Sequence, residues 1–113
     1  MLKNLSVYIN KNKIFDYDKT TRLPGKQRQY LDNMDYDMDQ GIEINDKLIS
    51  SPNKMQRANY VAMNLLHGIE TDNKGLISAT SAYLVNRIPD LESIQAVENG
   101  DEITMDLILS EVN

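Results

Sequence analysis

Ser93-Ile94-Gln95-Ala96-Val97-Glu98-Asn99-Gly100-Asp101-Glu102-Ile103-Thr104-Met105-Asp106-Leu107-Ile108-Leu109 sets Asn99-Gly100 between two runs rich in β-branched and apolar residues. That is the strongest short-range hairpin signal in the chain, because Asn and Gly both tolerate the positive φ a two-residue loop demands. With Asn99 and Gly100 as the loop, Ala96 opposes Ile103 and Ile94 opposes Met105 on one face. A lone hairpin is marginal in water, so the rest of the chain must supply what covers that face.

The N-terminus offers a second hairpin. Leu5, Val7 and Ile9 alternate with Ser6, Tyr8 and Asn10, the period of a half-buried strand. Lys11-Asn12 reads as the turn into a second strand from Lys13 to Asp18, with Ile9 facing Ile14 and Tyr8 facing Phe15. Leu23-Pro24-Gly25 then breaks the chain.

Between the hairpins the period changes to that of helices. Tyr30, Leu31, Met34 and Met38 form a narrow stripe over a helix from Lys26 to Gln40, which Gly41 is placed to close in a left-handed C-cap, with the acids on the other side. Ile42 to Ile49 is a short extended piece or turn. Ser51 as N-cap and Pro52 at the first helical position open a second helix, whose Met55, Ala58, Ala62, Leu65, Leu66 and Ile69 share one face. Thr71 to Gly75 is short enough to fold a third helix, Leu76 to Ile88, back on the second before Pro89 stops it. Its inner stripe is Leu76, Ile77, Thr80, Tyr83, Leu84 and Ile88. The expectation is a single α+β domain over residues 1–113, in which N-terminal and C-terminal β-hairpins form an antiparallel sheet packed against three helices.

At 113 residues, 41% hydrophobic and 26% charged, the chain has enough apolar material for one core. The absence of Cys excludes disulfides, thiolate metal sites and cysteine nucleophiles, and the single His67 excludes any site with two imidazoles. The longest apolar runs, Tyr60 to Met63 and Ala82 to Val85, are far too short to span a membrane, so the chain is expected to be soluble and cytoplasmic. Its charge of −5 is unevenly spread: up to Tyr30 there are seven bases against two acids, and acids dominate the rest.

Asp35-Tyr36-Asp37-Met38-Asp39-Gln40-Gly41-Ile42-Glu43, continuing to Asp46, resembles part of a calcium loop of the EF-hand family. The resemblance puts Asp35, Asp37, Asp39 and Asp46 at loop positions 1, 3, 5 and 12, but Gly41 falls at 7 rather than 6, where the sharp turn needs it. The retained reading is therefore an acidic helix face capped by Gly41, without a metal or other cofactor. Arg87, inside the third helix's stripe, reads as a snorkelling side chain at a helix C-terminus, since no Gly-rich phosphate loop accompanies it. The paired acids Asp101-Glu102 and Asp37/Asp39 have no neighbouring proton donor or nucleophile, so no enzyme is expected.

Across the second helix from its core stripe, Gln56, Tyr60, Met63 and His67 share one ridge. A Tyr and a Met outside a complete core stripe fit a partner-contact patch, unless a terminal hairpin covers them. The functional expectation is a small non-enzymatic intracellular binding or regulatory protein acting through protein–protein contacts, with self-association as a homodimer included. The first alternative is nucleic-acid binding by Lys11, Lys13, Arg22, Lys26 and Arg28, interleaved with aromatics, although the acidic remainder repels phosphate. The second is a calcium-binding module around Asp35 to Asp46.

Overall fold

The computed structural model describes residues 4–20, 25–44 and 46–110. In chain order these form β1 (Asn4–Ile9), β2 (Asn12–Asp18), α1 (Gly25–Asp39), β3 (Ile42–Ile44), β4 (Lys47–Ile49), α2 (Lys54–Glu70), α3 (Lys74–Arg87), β5 (Leu91–Asn99) and β6 (Glu102–Leu109). The architecture is α+β, with three helices, a mixed four-stranded sheet and a two-stranded sheet among the described residues. Two compact units divide it: Met1–Thr21 with Val85–Asn113, and Arg22–Leu84.

The first unit is the four-stranded sheet, in the order β2-β1-β5-β6. Both expected hairpins form, but β1 runs parallel to β5, so the sheet is mixed rather than antiparallel. Turn chemistry sets the direction within a hairpin; nothing local sets it between strands so distant in sequence, and the long intervening chain supplies the crossover parallel strands need. Val7 pairs with Ile94 and Ile9 with Ala96. Asn10 extends the join, its N–H donating to the Ala96 carbonyl at 2.9 Å and its Oδ1 accepting the Glu98 N–H at 3.0 Å. Leu5, Val7, Ile94 and Ala96 are buried on one face of these central strands, and Phe15, Tyr17, Met105 and Leu107 continue that face outward at partial burial.

Both loops sit one residue from their expected places. In the N-terminal hairpin Ile9 pairs with Asn12, so Asn10 and Lys11 form the loop, both at positive φ (50° and 69°) as a type I′ turn requires. The expected Ile9–Ile14 and Tyr8–Phe15 pairs do not form: Tyr8 meets Lys13, Val7 meets Phe15, and Ile14 is the extra residue of a bulge. In the C-terminal hairpin Asn99 pairs with Glu102, which leaves Gly100-Asp101 as the loop with Gly100 at φ 64°. Glycine at the first loop position is the type II′ signature. Ala96 therefore opposes Met105, and Ile94 opposes Leu107. A shift of two along one strand keeps every residue on its expected face.

In the second unit, α1 buries Leu31 and Met38, half-buries Met34 and leaves Tyr30 exposed. Gly41 follows at φ 126°, its N–H donating to the Met38 carbonyl at 3.0 Å. Ile42 to Ile49 becomes a small hairpin in which Ile42 pairs with Ile49. The N-cap of α2 is Asn53, not Ser51. Asn53 Oδ1 accepts the Gln56 N–H and Gln56 Oε1 accepts the Asn53 N–H, each at 2.8 Å. This reciprocal box satisfies two donors where a Ser51 cap would satisfy one, and Ser51 itself lies at φ 49°. The later start puts Met55 in the first turn, exposed rather than in the core stripe. Ala58, Val61, Ala62, Leu65, Leu66 and Gly68 are the buried residues of α2, while Ile69 is half-buried.

A three-residue link, Thr71 to Asn73, joins α2 to α3. Asn73 ties both ends, donating its N–H to the Gly68 carbonyl at 2.8 Å and accepting the Leu76 N–H on Oδ1 at 3.2 Å. The helices approach closely at Gly68, where a Cβ would lie 3.2 Å from Ile77 Cγ1 and 3.3 Å from Leu76 Cγ. In α3, Thr80 to Leu84 are all buried, a broader surface than the single stripe expected, while Leu76 and Ile77 are half-buried.

Candidate functional site

The ridge on α2 faces away from that helix's buried stripe. Met63 is 42% exposed, His67 is exposed and Tyr60 is half-buried. Gln56 is also half-buried, but its amide oxygen is committed to the capping box, so it anchors the ridge at the helix N-terminus. At the other end Thr71 closes the helix by donating its N–H and its hydroxyl to the His67 carbonyl, at 3.0 and 2.8 Å. The ridge therefore stands on a helix capped at both ends, and its free groups are the Tyr60 ring, the Met63 thioether and the His67 imidazole. These offer apolar contact area and one imidazole.

Of the candidate basic residues that are described, Lys11 and Lys13 belong to the first unit and Arg28 to the second. Lys11 occupies the turn of the first hairpin, and Lys13 pairs with Asp16 at 3.2 Å and stands 6.0 Å from the Tyr8 ring centroid. Arg28 is exposed on α1, in the other unit, while Arg22 and the side chain of Lys26 lie outside the described residues. Lys19 donates to the Pro89 carbonyl at 2.9 Å. Its burial lowers its pKa, and the charges of Asp90 and Glu92 offset part of that. At Asp16 the Ser6 hydroxyl, donating at 2.6 Å, holds the carboxyl below its ordinary pKa against some desolvation, with help from Lys13.

Asp35, Asp37 and Asp39 of the acidic stretch lie on the last turns of α1, Glu43 lies on β3, and two of these acids face a cation. Arg57 of α2 donates through Nη1 to Asp35 Oδ1 at 3.1 Å and to the Asp35 carbonyl at 3.2 Å, and through Nη2 to Asp39. Its Nε donates to the Pro52 carbonyl at 3.0 Å. Tyr83 of α3, itself buried, donates its hydroxyl to the same Asp35 oxygen. Desolvation works against the Arg57 charge, but the hydrogen bonds it donates to Asp39 and Asp35, with their negative charges, outweigh it and raise its pKa. This network joins all three helices of the second unit. Asp37 stays exposed, and no group of three or more His, Asp or Glu side chains that could hold a metal occurs among the described residues.

Sequence reasoning missed this network, having placed Asp35 and Asp39 together on an outward acidic face. The available signal was Arg57, in the first turn of α2 and flanking the buried stripe, where a charge needs a partner. No helix among the described residues is long and apolar enough to cross a membrane. No family model, curated protein or solved structure matches this chain.

Proposed function

We propose that this chain is a small non-enzymatic binding or regulatory protein that works through protein–protein contacts made by the Tyr60, Met63 and His67 ridge of α2. The observation that carries the reading is the exposure of Met63 and His67 beside a half-buried Tyr60, on a helix whose opposite side already supplies a full buried stripe. A surface helix needs one apolar face, so a second apolar strip is surplus to folding and suited to contact. Tyr gives contact area at low rotamer cost, and Met adapts to an irregular partner.

The test is Tyr60→Asp, followed by light scattering across concentration and by thermal melts. The reading expects the monomer to keep its melting temperature within a few degrees while association is lost, because a carboxylate on an open surface costs little and one inside an interface goes unpaired. An unchanged mass with a large fall in melting temperature would make Tyr60 an internal packing residue and end this proposal.

A further inference from the structure

The two outer strands of the four-stranded sheet differ in how they present their free edges. An edge strand offers unpaired N–H and C=O groups to any passing strand, and proteins blunt such edges with bulges and charges, Lys above all. β2 carries these devices: the bulge at Ile14, then Lys13, Asp16 and Asp18 along seven residues, with Lys13 and Asp16 ion-paired. β6 carries neither bulge nor Lys nor Pro. It holds a single register against β5 from Glu102 to Ile108, and no described strand lies along its outer side.

The side chains on β6 say what would fit there. Glu102 and Asp106 lie four residues apart on one face with Thr104 between them, all exposed. The opposite face carries Ile103, Met105 and Leu107, of which Ile103 is 40% exposed. A second copy would be a poor occupant, since pairing β6 with itself would crowd two Glu102 and two Asp106 carboxylates onto one face. We propose that the β6 edge accepts an extended segment of a partner protein as a fifth strand. The segment has Lys or Arg at two positions four apart, opposite Glu102 and Asp106, and apolar residues at the two alternate positions that extend the Ile103, Met105 and Leu107 face. The pattern reads the same in both directions, so it suits a parallel or an antiparallel segment. Main-chain hydrogen bonds would supply most of the affinity and the two acids the selectivity. This surface is on β6 and the proposal does not depend on the α2 ridge.

The experiment is a fluorescence-anisotropy titration of the full chain into a labelled peptide with the core Lys-Val-Thr-Val-Lys. Saturable binding that weakens between roughly 50 and 200 mM salt is expected. Asp106→Lys should weaken it about tenfold or more, and a peptide with Glu in place of only one of its two Lys should recover binding to that variant, its Glu facing the introduced lysine and its remaining Lys facing Glu102. Glu43→Lys makes the same charge change at an exposed position on β3 and should leave binding unchanged. N-methylation of alternate peptide nitrogens, tested on the unaltered protein, should abolish binding on one of the two possible phases. Equal binding by both N-methylated phases would reduce the contact to charge alone and overturn strand addition. No saturable binding, or unchanged binding by Asp106→Lys, would overturn the proposal outright.

Discussion

Arg57 shows how much one side chain can organise. Its guanidinium ties α1 to α2 through Asp35 and Asp39, and the Tyr83 hydroxyl brings α3 to the same carboxylate. The Arg57 side chain is only 18% exposed, so its loss removes a largely buried cation from beside Asp35 and Asp39. Arg57→Met should cost about 2 kcal/mol in urea unfolding, and Tyr83→Phe about 1–2, with less than additive cost for the pair since both act on Asp35. Costs below about 0.5 kcal/mol would show the network to be an exposed, screened pairing. Asp16 makes a pH-dependent statement. Its folded pKa is depressed, first by the Ser6 hydrogen bond, so its contribution is complete above the unfolded carboxylate pKa and is lost as pH falls through the lower folded value. Ser6→Ala should therefore lower stability modestly at neutral pH and match the unaltered protein in strong acid. A difference that persists there would place the effect of Ser6 elsewhere.

At the scale of elements, the turn between β1 and β2 holds a non-glycine residue where glycine is preferred. Lys11 sits at φ 69°, in the second position of a type I′ loop. Lys11→Gly should raise stability by about 0.5–1 kcal/mol in thermal melts, relief of the left-handed strain exceeding the entropy glycine adds to the unfolded chain. A loss would mean the Lys11 side chain makes a contact worth more than the strain. The contact of α2 with α3 is tested at Gly68, where no side chain fits without movement. Gly68→Val should cost about 1–3 kcal/mol, and an unchanged midpoint would show that the helices part easily there.

These elements also show what was readable beforehand. The three helices and both terminal hairpins were legible because their apolar periods are long and their turns carry Asn, Gly and Pro. The one-residue offsets were not, since Asn10-Lys11 and Lys11-Asn12 compete with similar chemistry, and only Ile14 leaving the ladder decides between them. The parallel β1–β5 pair left no local trace, because its partners are separated by the whole helical unit. Of the candidate site, the ridge on α2 could be read from spacing alone; the capture of Gln56 by Asn53 and of Asp35 by Arg57 could not, since each depends on where a neighbouring element ends or packs.

Across the whole molecule, the proposed activity is one of contact. Seven of the twelve bases precede Tyr30 and fifteen of the seventeen acids follow it. Of the early bases, Lys13 is paired with Asp16 and Lys19 donates to the Pro89 carbonyl, and the proposal of a protein partner rather than phosphate draws on that engagement. The most direct measurement places a photo-crosslinking amino acid at Met63, the most exposed apolar position of the ridge, and activates it in the living source cell. The account predicts one or a few discrete protein adducts that disappear when Tyr60→Asp is added and are absent when the same group is placed at exposed Glu43. Adducts no more discrete at Met63 than at Glu43 would contradict it.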